Sequence, residues 1–106
     1  MTIPDTNIKM VRLRDIRDII DSIRSKVKKT AVEAYIFGSV VEGSAVQGES
    51  DLDLLIIPSE KLDWYSLLEN ELFQLLDRGI VLHIHVADNE SYKTMIRIAK
   101  EKGLKL

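Results

Sequence analysis

Apolar residues return at steps of three and four positions in three segments of the chain, and this spacing predicts amphipathic helices. The segments are residues 8–29, about 60–77 and about 89–102. Gly79 follows the second segment and Gly103 follows the third, which is typical of the position just after a helix. The chain is therefore expected to contain at least three helices.

Three short segments between these helices have the composition of strands. Residues 32–37 (VEAYIF), 51–57 (DLDLLII) and 80–86 (IVLHIHV) are rich in branched and aromatic apolar side chains. A further short helix is expected over residues 39–46, directly after the first strand. This order predicts an α/β (α+β) fold, a small mixed sheet of three or so strands flanked by helices. The open edges of such a sheet would also allow a homo-oligomer.

Composition limits the classes of protein to which the chain can belong. Its 106 residues suit a single domain over residues 1–106, and 45% apolar with 30% charged residues is typical of a globular protein. The absence of cysteine excludes disulfides, thiolate metal sites and a cysteine nucleophile. No segment approaches the roughly 20 apolar residues of a membrane span, and the first residues lack an apolar signal run. A cytoplasmic protein without membrane contact is expected.

Charge is unevenly distributed, although the net charge is only −2. Residues 9–29 contain eight Lys and Arg side chains against three Asp. Such a run usually forms the solvated face of a helix, so RNA is the less favoured partner. Aromatic residues make up only 6% of the chain, which argues against a stacking surface for nucleic acid.

Two aspartates, Asp51 and Asp53, begin the most apolar of the predicted strands. Alternate residues of a strand share a face, so both carboxylates point the same way, about 6–7 Å apart along the strand. Adjacent carboxylates repel each other unless a cation lies between them, and Mg²⁺ takes oxygen ligands of this kind. The pair predicts a divalent-metal site, and two solvated aspartates at a strand start are the alternative.

A Gly-Ser pair, Gly38 and Ser39, directly follows the first predicted strand. At the start of a short helix it would present backbone N–H groups and a hydroxyl to an anion, and glycine lets a phosphate approach closely. An ordinary strand-to-helix turn is the alternative. An anion-binding turn and a metal-binding pair thus border one loop of the chain.

One long-spaced motif joins these features: G-S, a glycine four residues later, then S-D-x-D-L leading into an apolar strand. It consists of Gly38, Ser39, Gly43, Ser50, Asp51, Asp53 and Leu54. This motif resembles the nucleotidyltransferase superfamily related to DNA polymerase beta, and most closely its minimal, stand-alone members. The order of helices and strands agrees with a nucleotidyltransferase-like fold over essentially the whole chain.

The resemblance implies the metal-dependent transfer of a nucleoside monophosphate from an NTP, with ATP the first candidate, to the hydroxyl of a macromolecular acceptor. Asp51 and Asp53 would hold Mg²⁺ (or Mn²⁺) as catalytic residues, while Gly38, Ser39 and Ser50 would bind the nucleotide. The resemblance also suggests the antitoxin-like half of a toxin–antitoxin pair, whose partner is a small helical protein of the HEPN type.

Two positions depart from the family pattern. A third carboxylate is expected on the neighbouring strand, but residues 80–86 contain neither Asp nor Glu. His83 takes that place as a candidate catalytic residue, and His85 shares its face. Glu42 stands where minimal members carry basic residues, and its charge would repel a triphosphate. These departures leave a second hypothesis, a catalytically degenerate subunit that acts by binding a partner chain.

Overall fold

The computed structural model describes residues 11–44 and 50–106 of the chain. Two 3₁₀ turns, Leu13–Ile16 and Glu90–Tyr92, lead into the first and last helices. No helix in the described ranges is long and apolar enough to cross a membrane. The helices and strands are, in chain order, α1 Arg17–Thr30, β1 Ala31–Phe37, α2 Ser39–Glu42, β2 Ser50–Pro58, α3 Trp64–Leu67, α4 Glu69–Asp77, β3 Ile80–Val86, α5 Lys93–Lys102 and β4 Leu104–Lys105.

A four-stranded sheet in the order β3-β2-β1-β4 forms the centre of the fold. β1 pairs antiparallel with β2 and with β4, whereas β2 and β3 are parallel. A parallel pair requires a crossover connection, and α3 with α4 supplies it. The predicted mixed sheet flanked by helices is confirmed. Its additional strand, Leu104–Lys105, is a two-residue segment that pairs with Tyr35 and Ile36.

The two faces of the sheet are covered by different helices. α1 and α4 pack on one face, where the core includes Ile36 and Leu54. α5 packs on the opposite face, where Ala99 meets Tyr35 and Leu55. The apolar half of β2 is therefore buried on both sides, which explains its continuous run of apolar residues.

The acidic start of β2 is not buried by helices on both faces of the sheet. Asp51 and Asp53 share a face with Leu55, because alternate residues of a strand point the same way. Leu55 is fully buried beneath α5, whereas the two aspartates are only partly buried. The fold thus leaves one accessible acidic surface, on the α5 side of the sheet at the beginning of β2.

Two predicted helices show the largest differences from the structure, and the last helix of the chain, predicted over about 89–102, becomes an α-helix only at Lys93 after a 3₁₀ turn. α1 begins at Arg17 after a 3₁₀ turn, and residues 8–10 of the predicted segment lie outside the described ranges. The prediction of one helix over residues 60–77 is wrong, because the chain forms two helices separated at Leu68. The φ of −105° and ψ of 15° at Leu68 interrupt the α-helical geometry there. The first of the two begins after Asp63, whose side chain accepts the N–H of Ser66.

The other predicted boundaries agree more closely. β3 covers residues 80–86 as predicted, and Gly79 before it has the left-handed φ of 76° expected just after a helix. The short helix predicted over residues 39–46 ends earlier, at Glu42, because Gly43 turns the chain with a φ of 80°. Residues 45 and 46 of that prediction lie outside the described ranges.

Candidate functional site

Gly38 is the point at which β1 turns into α2. Its φ of 104° is one that residues with a side chain rarely adopt. A Cβ at this position would lie 2.8 Å from Oδ2 of Asp53 and 3.2 Å from the backbone oxygen of Asp51. Glycine is therefore required both by the backbone conformation and by the close approach of the turn to β2.

Ser39 binds Asp51 directly. Its hydroxyl donates to Oδ1 of Asp51 at 2.7 Å, and the N–H of Asp51 donates back to the hydroxyl oxygen at 3.1 Å. The N–H of Ser39 makes a longer contact, 3.4 Å, with the same Oδ1. These donors lower the pKa of Asp51, and the serine hydroxyl contributes most. The turn therefore favours the ionised form of Asp51 and fixes its position.

Asp53 is bound from the other side by a histidine. Nε2 of His85 lies 2.9 Å from Oδ1 of Asp53, and the two side chains are 27% and 17% exposed. The ring of Phe37 stacks on the His85 ring with centroids 6.2 Å apart. Asp53 therefore lies between Gly38, which faces Oδ2, and His85, which binds Oδ1.

His83, the predicted substitute for a third carboxylate, lies beside the pair on β3, and its catalytic role stays a prediction. The two strands are in the register that sets His83 opposite Asp53, yet the described contact to the carboxylate comes from His85. His83 is exposed and stacks on the His85 ring with centroids 6.5 Å apart. Cross-strand neighbours at diagonal positions lie within reach of long side chains, and Phe37 supports the ring that makes this reach.

The other residues predicted to meet the nucleotide are placed in different ways. Ser50 is buried at the start of β2, next to Asp51 in sequence. Glu42 is exposed at the end of α2, where solvent screens its charge and reduces the repulsion that its position predicted. Helix α2 has only four residues, so its N-terminus contributes little dipole. What remains at this end of β2 is the Gly38-Ser39 turn and the two carboxylates.

The donor set at this site fits a hard divalent cation. Asp51 and Asp53 offer carboxylate oxygens on one face, and Mg²⁺ commonly takes one or two carboxylates together with substrate phosphates. Strand β3 supplies no third carboxylate. Within residues 11–44 and 50–106, no group of three or more His, Asp, Glu or Cys side chains is arranged to hold a metal ion. Among the residues that the structure describes, the carboxylates available to such a site would therefore be those of Asp51 and Asp53.

The site thus combines a glycine-serine turn with two carboxylates on one face of a mixed sheet, and its chemistry suits phosphate and a divalent cation. The family model described as nucleotidyltransferase domain matches residues 16–106, and the chain belongs to that family. Every residue of the site lies within the matched segment. The match supports nucleotidyl transfer as the general function of the domain. Comparison with curated proteins and with solved structures gives no match.

Proposed function

We propose that this protein is a Mg²⁺- or Mn²⁺-dependent nucleotidyltransferase that moves a nucleoside monophosphate from an NTP, with ATP the first candidate, to a hydroxyl of a macromolecular acceptor. One observation carries the proposal. Asp51 and Asp53 lie together on one face against the Gly38-Ser39 turn, with no Lys or Arg in an ion pair with either carboxylate among the described residues.

Electrostatics explains why this arrangement favours a bound cation. The two carboxylates repel each other, and the donors around them are a hydroxyl, backbone N–H groups and one imidazole. A divalent cation would neutralise both charges and would also bind the oxygens of a triphosphate. Gly38, without a side chain, would let that triphosphate approach the backbone beside Asp53.

The transfer itself needs few groups from the protein. The acceptor oxygen attacks the α-phosphorus of the NTP, the bond from that phosphorus to the oxygen bridging the α and β phosphates breaks, and pyrophosphate leaves while the hydroxyl proton passes to water. A bound divalent cation supplies charge stabilisation for the phosphate oxygens. Asp51 and Asp53 would hold it, and the Gly38-Ser39 turn would keep Asp51 in place.

The acceptor is proposed to be a protein, in line with the resemblance of the Gly38-Ser39 and Asp51/Asp53 motif to the minimal nucleotidyltransferases. A small helical partner of the HEPN type is the first candidate, which would make this protein the antitoxin-like member of a toxin–antitoxin pair. The absence of cysteine supports a place in the cytoplasm. RNA is the less favoured acceptor, since the net charge is −2 and aromatic residues make up only 6% of the chain.

A catalytically degenerate subunit is the second candidate function. Strand β3 supplies a histidine contact where a third carboxylate would be expected, and this observation favours the alternative. In that case the domain would keep its fold and its turn but act by contact with a partner chain.

Labelling separates the two candidates. The full chain is incubated with Mg²⁺ or Mn²⁺ and each α-labelled NTP in turn, with and without the candidate helical partner. Transfer of label that disappears in Asp51→Asn and Asp53→Asn, but persists in Asp77→Asn, supports the enzyme. Asp77 is a matched control because it is an exposed aspartate at the end of α4, with no described contact to Asp51 or Asp53. No labelling with any NTP, together with partner binding that survives both site substitutions, identifies the degenerate subunit.

A further inference from the structure

The contact between His85 and Asp53 has a defined direction. A carboxylate at neutral pH only accepts hydrogen bonds, so Nε2 of His85 carries the proton in the 2.9 Å contact to Oδ1. That nitrogen therefore has no lone pair to offer a metal in this arrangement. His85 is therefore a hydrogen-bond donor to Asp53 and not a metal ligand.

The same contact decides which oxygen of Asp53 faces the Gly38-Ser39 turn. Oδ1 is bound to His85, while Oδ2 lies where a side chain on Gly38 would meet it at 2.8 Å. Phe37 stacks on the His85 ring and supports its orientation. The carboxylate is thus held by one oxygen, and its other oxygen is directed at the turn.

We propose that His85 is a positioning residue that orients Asp53 so that Oδ2 faces the cation and the triphosphate at the Gly38-Ser39 turn. The inference rests on the proposed function, because it names a role within the same site. Metal-binding side chains are commonly fixed by hydrogen bonds from a surrounding shell, and loss of such a partner typically weakens metal binding about 10–100-fold. His85 would perform this task from the strand on which a third carboxylate was expected.

The chain contains a matched control for this proposal. His83 is the same residue type, on the same strand and the same face, two positions away. It is exposed, and its described ring contact is with His85 rather than with a carboxylate. If any imidazole near the site supports metal binding, substitution of either histidine should weaken it. If the orientation of Asp53 is what matters, only substitution of His85 should do so.

Manganese binding to the full chain is the direct test, with Mn²⁺ alone as the probe and its free-ion electron paramagnetic resonance signal as the readout. We expect His85→Ala to weaken Mn²⁺ binding about 10–100-fold. His85→Gln should stay within about threefold of the wild type, because its amide N–H can donate to the same oxygen. His83→Ala removes a stacking neighbour of the His85 ring but no contact with Asp53 that the structure describes, and should stay within about threefold of the wild type. Circular dichroism of each variant establishes that it is folded.

Three outcomes overturn the proposal: His85→Ala binds Mn²⁺ as well as the wild type, it binds Mn²⁺ more tightly, or His85→Gln loses as much as His85→Ala. A second measurement does not depend on metal. Long-range ¹H–¹⁵N spectra of the metal-free chain should show the Nε2-protonated form of His85, and Asp53→Ala should change its ring-nitrogen shifts while those of His83 stay nearly constant. If the wild type binds no Mn²⁺ but the spectra behave as expected, the orientation of Asp53 stands and the proposed function fails. Spectra that do not respond to Asp53→Ala contradict the orientation itself.

Discussion

The protein places carboxylates in two very different surroundings. On the α1–α4 side of the sheet, Glu71 is only 3% exposed, and Nζ of Lys26 lies 2.9 Å from its Oε1 while Ser22 donates to its Oε2 at 2.5 Å. On the α5 side, Asp51 and Asp53 lie side by side and partly exposed, bound by a hydroxyl and an imidazole.

The surroundings of Glu71 are those of a structural carboxylate, whose charge is balanced within the protein. Burial raises the pKa of Glu71, but the hydrogen bonds from Ser22 and Lys26 outweigh it and leave the pKa below its ordinary value. Its counter-ion is part of the chain. Asp51 and Asp53 have no Lys or Arg ion pair among the described residues, and under the proposed function a bound divalent cation would be their counter-ion. This contrast is the main physical argument for a metal site.

Removing a site carboxylate should have the largest effect on activity. Asp53→Asn is expected to reduce nucleotidyl transfer by about 10²–10³-fold, since such losses follow the removal of a single electrostatic stabiliser. Its free energy of unfolding should stay the same or rise, because one of two repelling charges is gone. Single-turnover labelling and urea denaturation measure the two quantities. Retained transfer, or a large loss of stability, would contradict the functional assignment of Asp53.

The structural carboxylate should respond in the opposite way. Lys26→Met leaves Glu71 without its counter-ion and is expected to lower the free energy of unfolding by about 1–3 kcal/mol, less than for a fully buried pair because Lys26 is 33% exposed. Nucleotidyl transfer at a temperature where the variant is folded should not change. If Lys26→Met were as stable as the wild type, Lys26 would not be the counter-ion that Glu71 needs, and the difference between the two regions would be contradicted.

The close approach of the turn to β2 predicts a loss of stability of similar size at Gly38. Gly38→Ala must hold a φ of 104° and also displace Oδ2 of Asp53, and we expect a loss of about 1–3 kcal/mol in unfolding free energy together with weaker Mn²⁺ binding. Gly43→Ala is the control, because Gly43 also has a positive φ, of 80°, but nothing lies within 4 Å of its added Cβ. It should lose only about 1–2 kcal/mol and keep its metal affinity. Equal metal affinity in both variants would show that the Gly38 contact has no role in the site.

The smallest predicted effect is on the acid side of the stability curve. Glu71 and Asp51 both have folded-state pKa values below their ordinary values of 4.5 and 3.8. The native state therefore binds fewer protons, so the stabilisation is complete above those ordinary values and is lost as the pH falls through the lowered pKa values. Urea midpoints measured from pH 6 down to pH 3 should fall less steeply in Glu71→Gln than in the wild type. A steeper fall would mean that the sign of the Glu71 pKa shift is reversed.

The sequence predicted those features that depend on local periodicity. Strand β3 has the predicted bounds, and alternation along β2 correctly places Asp51 and Asp53 on one face. Gly38 was noted for phosphate approach, but its requirement beside Asp53 appears only when β1 and β2 pair. The motif spacing was sufficient to indicate the family, which the match over residues 16–106 then showed.

Features that depend on long-range packing could not be predicted. β4 has two residues, too few for any alternation, and exists because it pairs with β1. No Gly or Pro marks the break between the two helices at Leu68. The side chain of Leu68 is fully buried in the core, which depends on long-range packing. The contact of His85 with Asp53 links two strands, and Phe37 stacks on the His85 ring from a third, which no spacing within IVLHIHV encodes.

Metal-dependent nucleotide binding tests the central claim most directly. The full chain is titrated calorimetrically with α,β-methylene ATP, which resists transfer, in the presence of Mn²⁺ and again with EDTA. We predict measurable binding with Mn²⁺, and a loss of at least about tenfold in affinity, roughly 1.4 kcal/mol, both in EDTA and in the double variant Asp51→Asn with Asp53→Asn. Nucleotide affinity that is unchanged by EDTA and by the double substitution would contradict the assignment of these aspartates as the metal and nucleotide site.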